Sequence, residues 1–266
     1  MSLTICGAQM AAAWDEPGKT LEKAAEYVEE ASDAGASLIV FPEQFATGWD
    51  PKATTYIQDL SGSIAKGIIS LAQRNHIAIL GAVREAHDPL PLNTSFVVDA
   101  KGRILARYSK IHLFSPAGEE QAFSSGNEPA LFQIDGFTFG IAICYDLRFA
   151  ELFSAYALRG AECVLIPSAW PCRRIDHFHL LIRARALENH CYIAGISGSG
   201  YTPVESYCGQ SLIAGPSAET VTLGPEYECL ISGTLEPGKV QEARRQIPTH
   251  SDRRDDVYVR FRQYPR

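Results

Sequence analysis

The sequence predicts an α/β fold, a four-layer α-β-β-α sandwich built from two related halves. Three observations carry this prediction. Short apolar strands alternate with stretches whose apolar residues recur at helical spacing. The order of elements occurs twice: "DAGASLIVFPE" (33–43) resembles "LRGAECVLIPS" (158–168), and "RNHIAILGAV" (74–83) resembles "ENHCYIAGIS" (188–197). Each half then ends on a hairpin-like stretch, "NTSFVVDAKGRILARY" (93–108) and "GQSLIAGPSAETVTLG" (209–224). Strands carrying helices on one face only are covered most simply by packing two sheets face to face.

Taken in order, Leu21, Ala24, Ala25, Val28 and Ala31 mark a first helix, with Gly35 as its stop. "SLIVF" is a short buried strand ended by Pro42. "VVDAKGRILARY" is a hairpin turning at Ala100, Lys101 and Gly102. "FTFGIAI" (137–143) is another strand, and Phe149, Leu152, Phe153, Tyr156 and Ala157 mark the face of a helix running towards Gly160. In "DHFHLLIRARALENH" (176–190), Leu180, Ala184 and Leu187 are expected to pack inward. The chain contains no low-complexity block or Gly/Ser linker, so residues 1–266 read as a single domain.

Composition narrows the function. A formal charge of −7 argues against nucleic acid or acidic membrane as a partner, because such binding runs on clustered Lys and Arg. No apolar run approaches the ~20 residues of a membrane span, and the start lacks a secretion-signal pattern, so a cytoplasmic location is expected. The seven cysteines are scattered without a C-x-x-C pair, arguing against a zinc ribbon or thioredoxin-like dithiol and for reduced thiols. His177 and His179, at i and i+2, do not share a helix face, so no metal site is expected there.

Three polar residues stand where apolar strands end: Glu43 after "LIVFP", Lys110 after "ILARYS" and Cys144 after "FTFGIAI". Open α/β architectures place ligands beyond the carboxyl ends of their strands. A thiol needs a base to become a nucleophile, and an acyl-transfer intermediate needs positive charge near its oxyanion. Taken singly, each has a structural explanation: a packed thiol, a helix cap and a solvated strand end.

Together, "FPEQ" (41–44), "YSKIHLF" (108–114) and "ICYDLRF" (143–149) resemble, in order, the three marks of the nitrilase or carbon–nitrogen hydrolase superfamily. The likeness extends from "GAQM" to about residue 219. It implies the four-layer fold, a Glu43–Lys110–Cys144 triad and a second glutamate, for which spacing favours Glu119 over the adjacent Glu120. It further implies covalent hydrolysis through a thioester, with Lys110 and the backbone N–H of Tyr145 stabilising the oxyanion and no cofactor or metal. "CYDLRFAEL" is most similar to the amidase branch, in particular omega-amidases. There Arg148 is a candidate for the substrate carboxylate, against a structural ion pair with Asp146 or Glu151. Trp170, in "SAWPCRR" (168–174), is expected to shape the pocket, while Arg173 and Arg174 read as surface charges. The resemblance also implies a homo-oligomer. Competing readings are hydrolysis of an N-carbamoyl amino acid, deaminated glutathione or a nitrile, a catalytically silent binding protein, and a redox sensor lacking an evident resolving cysteine.

Overall fold

The computed structural model describes residues 2–262. The chain first runs through β1 (Leu3–Gln9), α1 (Pro17–Asp33), β2 (Leu38–Val40), β3 (Ile57–Gln58), α2 (Ser63–Asn75), β4 (Ala78–Glu85), β5 (Leu92–Val98) and β6 (Ile104–Ser109). It continues with β7 (Leu131–Ile134), β8 (Phe137–Ile141), α3 (Ala150–Leu158), β9 (Cys163–Ser168), α4 (Ile175–Asn189) and β10 (Tyr192–Ser197). A small hairpin follows, β11 (Ser199–Tyr201) with β12 (Ser206–Cys208), then β13 (Leu212–Ala214), β14 (Thr220–Leu223), β15 (Cys229–Leu235), α5 (Pro237–Gln246) and α6 (Asp255–Arg262).

Two large sheets repeat one plan. The first has the order β15-β1-β2-β4-β5-β6, with the short β3 beside β4; the second, read from its other edge, is β7-β8-β9-β10-β13-β14. In both, an antiparallel edge pair leads into three parallel strands, and an antiparallel hairpin closes the far edge. The two halves even stop their second helices alike, with His76 and His190 in left-handed conformation (φ 52° and 45°). One strand departs from a simple tandem: β15, late in the chain, pairs with β1 from Leu3↔Leu235 to Gln9↔Cys229.

Strand alternation builds the layers. Along the first sheet, Leu3, Ile5, Leu38, Val40 and Leu80 join Ile141, Leu165 and Ala194 of the second in one core between the sheets. The opposite-facing Cys6, Ala8, Ile39 and Ile79 pack instead against Ala24 and Val28 of α1 and Ile64 and Ile68 of α2. Helix α1 buries Thr20, Ala24, Val28 and Ala31, a stripe of i, i+4, i+8 and i+11. On the other side, Phe153 and Tyr156 of α3 and Phe178 and Ile182 of α4 cover the second sheet.

Helix α4 corrects one expectation. Its buried stripe is Phe178, Ile182, Arg185, Ala186 and Asn189, whereas Leu180 and Leu187 are 69% and 49% exposed. Leu180 follows Phe178 by two residues, roughly 200° around a helix of 3.6 residues per turn, so the two cannot face the same sheet. Phe149 likewise precedes α3 rather than lying on it, and its ring stacks on His112 at 3.6 Å. The cysteines are all free thiols. Among the described residues, no helix is long and apolar enough to cross a membrane.

Candidate active site

The turn after β8 presents Cys144. Cys144 opens a short 3₁₀ helix, Cys144–Arg148, with φ 44°. A non-glycine residue in that region is strained by roughly 1–3 kcal/mol and persists only where its surroundings over-determine it. Asp146 supplies that determination. Its Oδ2 accepts from the Ile143 N–H (2.8 Å) and the Tyr108 hydroxyl (2.7 Å), and its Oδ1 accepts from the His112 N–H (3.0 Å). His112 Nδ1 lies 2.7 Å from the same Oδ1. Arg185 of α4 holds the other end, donating from Nε to the Leu147 carbonyl at 3.1 Å.

Strand ends from the first sheet bring the charges to this thiol. Glu43 follows β2 and Lys110 follows β6; Lys110 is fixed by its own N–H to Asn93 O and by the Gly126 N–H to its carbonyl, each 2.8 Å. Lys110 Nζ lies 2.7 Å from Glu43 Oε1 and 2.8 Å from Glu119 Oε2. Asn93, within β5, donates through Nδ2 to Glu43 Oε1 (2.8 Å) and Glu119 Oε1 (3.1 Å). Glu43 Oε2 accepts from the Ala169 N–H at 3.2 Å, and the Cys144 thiol lies beside the Glu43 carboxyl. Glu119 is fully buried, with its Oε2 also taking the Phe114 N–H at 2.7 Å, whereas Glu120 is exposed. The structure therefore brings Glu43, Lys110, Cys144 and Glu119 together and leaves Glu120 in solvent.

Electrostatics separates these groups. Burial raises the Glu43 carboxyl above its ordinary range, and the Glu119 charge adds to this, while Lys110 opposes it. Burial also works against ionisation of Glu119, but the Lys110 ammonium and three hydrogen-bond donors outweigh it and hold Glu119 low. Lys110 is itself raised, burial being overcome by the two carboxylates, so it stays charged. Burial and the neighbouring Glu43 push the Cys144 thiol well up, only partly countered by Lys110. The resting site is a neutral thiol hydrogen-bonded to a carboxylate, beside a fixed ammonium.

Cys144 lies at the base of a cavity of about 280 Å³, walled by Trp49, Phe114, Tyr145, Ala169 and Trp170. Arg148, Arg173, Arg174 and Glu205 also line it. Arg148 sits over the Trp170 ring at 5.1 Å and reaches His177 Nδ1 at 3.4 Å. Asp146, one ion-pair partner considered for Arg148, has both oxygens turned to Tyr108, Ile143 and His112 instead. Arg173 and Arg174 are not merely surface charges, as their loop carries both to the cavity. Arg173 pairs with Glu205 at 2.7 Å, and Arg174 lies over the Phe114 ring at 5.3 Å while its carbonyl accepts from Trp170 Nε1 at 2.7 Å. Trp170 is thus a buried wall with a fixed orientation. His179 Nε2 meets the Gln210 carbonyl at 2.9 Å, and no metal-like cluster occurs among the described residues. Two thiols do meet, Cys172 and Cys208, a pairing hidden by their separation in sequence; neither is Cys144.

Sequence reasoning missed Asn93, Asp146 as an anchor, and Gly126. Asn93 reads as an ordinary polar residue of a strand. The "SGN" stretch containing Gly126 carried the one available signal, a glycine following the motif lysine.

The carbon–nitrogen hydrolase family profile matches residues 3–245. A 2-oxoglutaramate amidase of Bacillus subtilis (strain 168) is 31% identical, covering 97% of this chain and 100% of the relative. A deaminated glutathione amidase of Escherichia coli O157:H7 is 31% identical over 89% of this chain and 92% of its own. Among solved structures, a cysteine-to-serine mutant of the Nesterenkonia AN1 amidase, from the nitrilase superfamily, superposes with a TM-score of 0.86 at 25% identity, covering 97% of each chain. With the profile spanning most of the chain and the fold shared throughout, the protein belongs to the carbon–nitrogen hydrolase family, enzymes acting on C–N bonds other than peptide bonds.

Proposed function

We propose that the protein is an amidase releasing ammonia from a small, carboxylate-bearing amide through a thioester on Cys144. The observation that carries this reading is the cavity itself: a thiol and an ammonium in its lining, with Glu43 against that ammonium, and three guanidiniums against one carboxylate around its wall. Glu43 accepts the Cys144 proton as sulfur attacks the amide carbon. Its raised pKa makes it a stronger base than an exposed carboxylate. Lys110 and the Tyr145 N–H, an amide of the first turn of the 3₁₀ helix, stabilise the tetrahedral oxyanion. Glu43 then returns the proton to nitrogen, and ammonia leaves. Water subsequently adds to the thioester, giving the acid and the free thiol.

Glu119 serves this scheme through charge. Its four lone-pair directions meet Lys110 twice, Asn93 and the Phe114 N–H, which leaves no direction for a water. It keeps Lys110 protonated and in place.

Arg148 is the recognition residue of this reading. A guanidinium stacked on Trp170, with one nitrogen on His177, can turn its remaining donors to a carboxylate. The relatives named 2-oxoglutaramate amidase and deaminated glutathione amidase support substrates of that kind. The test is kcat/KM for 2-oxoglutaramate beside butyramide in wild type and Arg148→Ala. Loss of a charged partner at a desolvated site should reduce the acidic substrate by about 10²-fold or more, with the neutral amide much less affected. Equal losses on both would make Arg148 structural.

A further inference from the structure

A second, much smaller cavity lies behind the substrate pocket. Its volume is about 20 Å³, and its lining includes Glu43, Trp49, Ala169, Thr202 and Tyr207. Trp49 and Ala169 also line the large pocket, so they form a shared partition. A volume above about 10–15 Å³ holds one water, provided two to four polar groups face it. An organic substrate does not fit.

The polar groups are there. Trp49 and Tyr207 are each 7% exposed, and both Trp49 Nε1 and the Tyr207 hydroxyl are buried without a partner in hydrogen-bond geometry. Thr202 stands beside Tyr207, but its own hydroxyl hydrogen goes to the Glu205 carbonyl at 2.9 Å. Orphaned buried polar groups cost roughly 1–3 kcal/mol each. Two of them around one small cavity, with a carboxylate in its wall, call for a ligand of one oxygen atom. Burial and the nearby Glu43 and Cys144 also keep the Tyr207 phenol neutral.

We infer that this cavity seats the hydrolytic water, with Trp49 and Tyr207 as its positioning residues. The inference rests on the amidase reading above. In the resting enzyme Glu43 Oε1 takes Lys110 and Asn93, Oε2 takes the Ala169 N–H, and the Cys144 thiol stands beside the carboxyl. Acylation removes the thiol hydrogen and leaves a lone pair of Oε2 for a water. A water there gives one hydrogen to Oε2 and one to the Tyr207 oxygen, whose own hydrogen turns to Thr202, and accepts from Trp49 Nε1. Its remaining lone pair is left for the thioester carbon. As the C–O bond forms, Glu43 takes one water proton. The C–S bond then breaks, the proton passes to sulfur, and the products are the carboxylic acid and the Cys144 thiol. The reaction is thioester plus water to acid plus thiol, with no other reactant.

The arrangement separates the two nucleophiles in space. Ammonia departs through the substrate pocket, and water attacks from behind the partition. A larger nucleophile such as hydroxylamine is confined to the substrate side. Tyr207→Phe removes only the hydroxyl, and so should slow attack by water without slowing attack by hydroxylamine.

The experiment measures hydroxamate against free acid when wild type and Tyr207→Phe turn over one amide at fixed hydroxylamine, together with ammonia release in the first turnover. The expected result is a hydroxamate-to-acid ratio raised about 10-fold, the worth of one well-made hydrogen bond, with first-turnover ammonia release within about twofold of wild type. First-turnover release also reports a folded site independently of the ratio. An unchanged ratio overturns the water site, and so does an equal slowing of first-turnover release and of steady-state turnover. Absence of ammonia release from wild type on every amide would instead remove the amidase reading itself.

Discussion

At Glu43, one carboxylate is asked to be a base while buried beside another carboxylate. Burial and Glu119 raise its pKa, and in the proposed reaction its ionised form must be present to accept the Cys144 proton. Activity therefore falls as pH drops through the Glu43 pKa, and the acid limb of kcat/KM should lie above the ~4.3 of an ordinary glutamate. Asn93 Nδ2 donates to the ionised form, so Asn93→Ala should move this limb to still higher pH. A limb at or below the ordinary value in wild type would show that Glu43 is not the titrating base. Glu43, Lys110 and Cys144 were legible because each interrupts an apolar run at a strand end, where a polar residue has little packing reason to stand. Asn93 was not, since a polar side chain inside "LNTSFVV" looks the same whether it faces solvent or two buried glutamates. Trp49, from a loop, and Tyr207, from β12, lie more than 150 residues apart in sequence, and no local pattern joins them.

At the scale of elements, the site depends on backbones held close together. A Cβ on Gly126 would lie 2.1 Å from the Ser109 carbonyl oxygen and 2.7 Å from its carbon, the carbon bonded to the Lys110 nitrogen. Backbone cannot swing aside as a side-chain tip can. Gly126→Ala should thus shift Lys110 from between Glu43 and Glu119, lowering kcat and destabilising the fold by ~1–3 kcal/mol, as overpacking generally does. Thermal denaturation and steady-state rates check this, and a variant with unaltered Tm and kcat would detach Gly126 from the site. The same scale explains the misread helix. "DHFHLLIRARALENH" holds apolar residues on several faces, and the inward stripe is set by Phe178, Ile182 and Ala186 against the second sheet. Periodicity alone offered Leu180 and Leu187 equally well.

For the whole molecule, the repeated element order in the sequence corresponds to two sheets with the same strand sequence and the same pattern of parallel and antiparallel pairs. The pairing of β15 with β1 was not legible, because it joins strands more than 200 residues apart and leaves no local trace. The sandwich matters to the site because Glu43 and Lys110 come from one sheet and Cys144 from the other, meeting where the strands end. The proposed reaction needs this meeting to make Cys144 a covalent nucleophile. The direct measurement is the mass of the Cys144 peptide after acid quenching during turnover of 2-oxoglutaramate, in wild type and Cys144→Ala. Wild type should carry an acyl adduct on that peptide, and the alanine variant should fold, carry none and release no ammonia. Ammonia release by Cys144→Ala at a rate comparable with wild type would contradict the account.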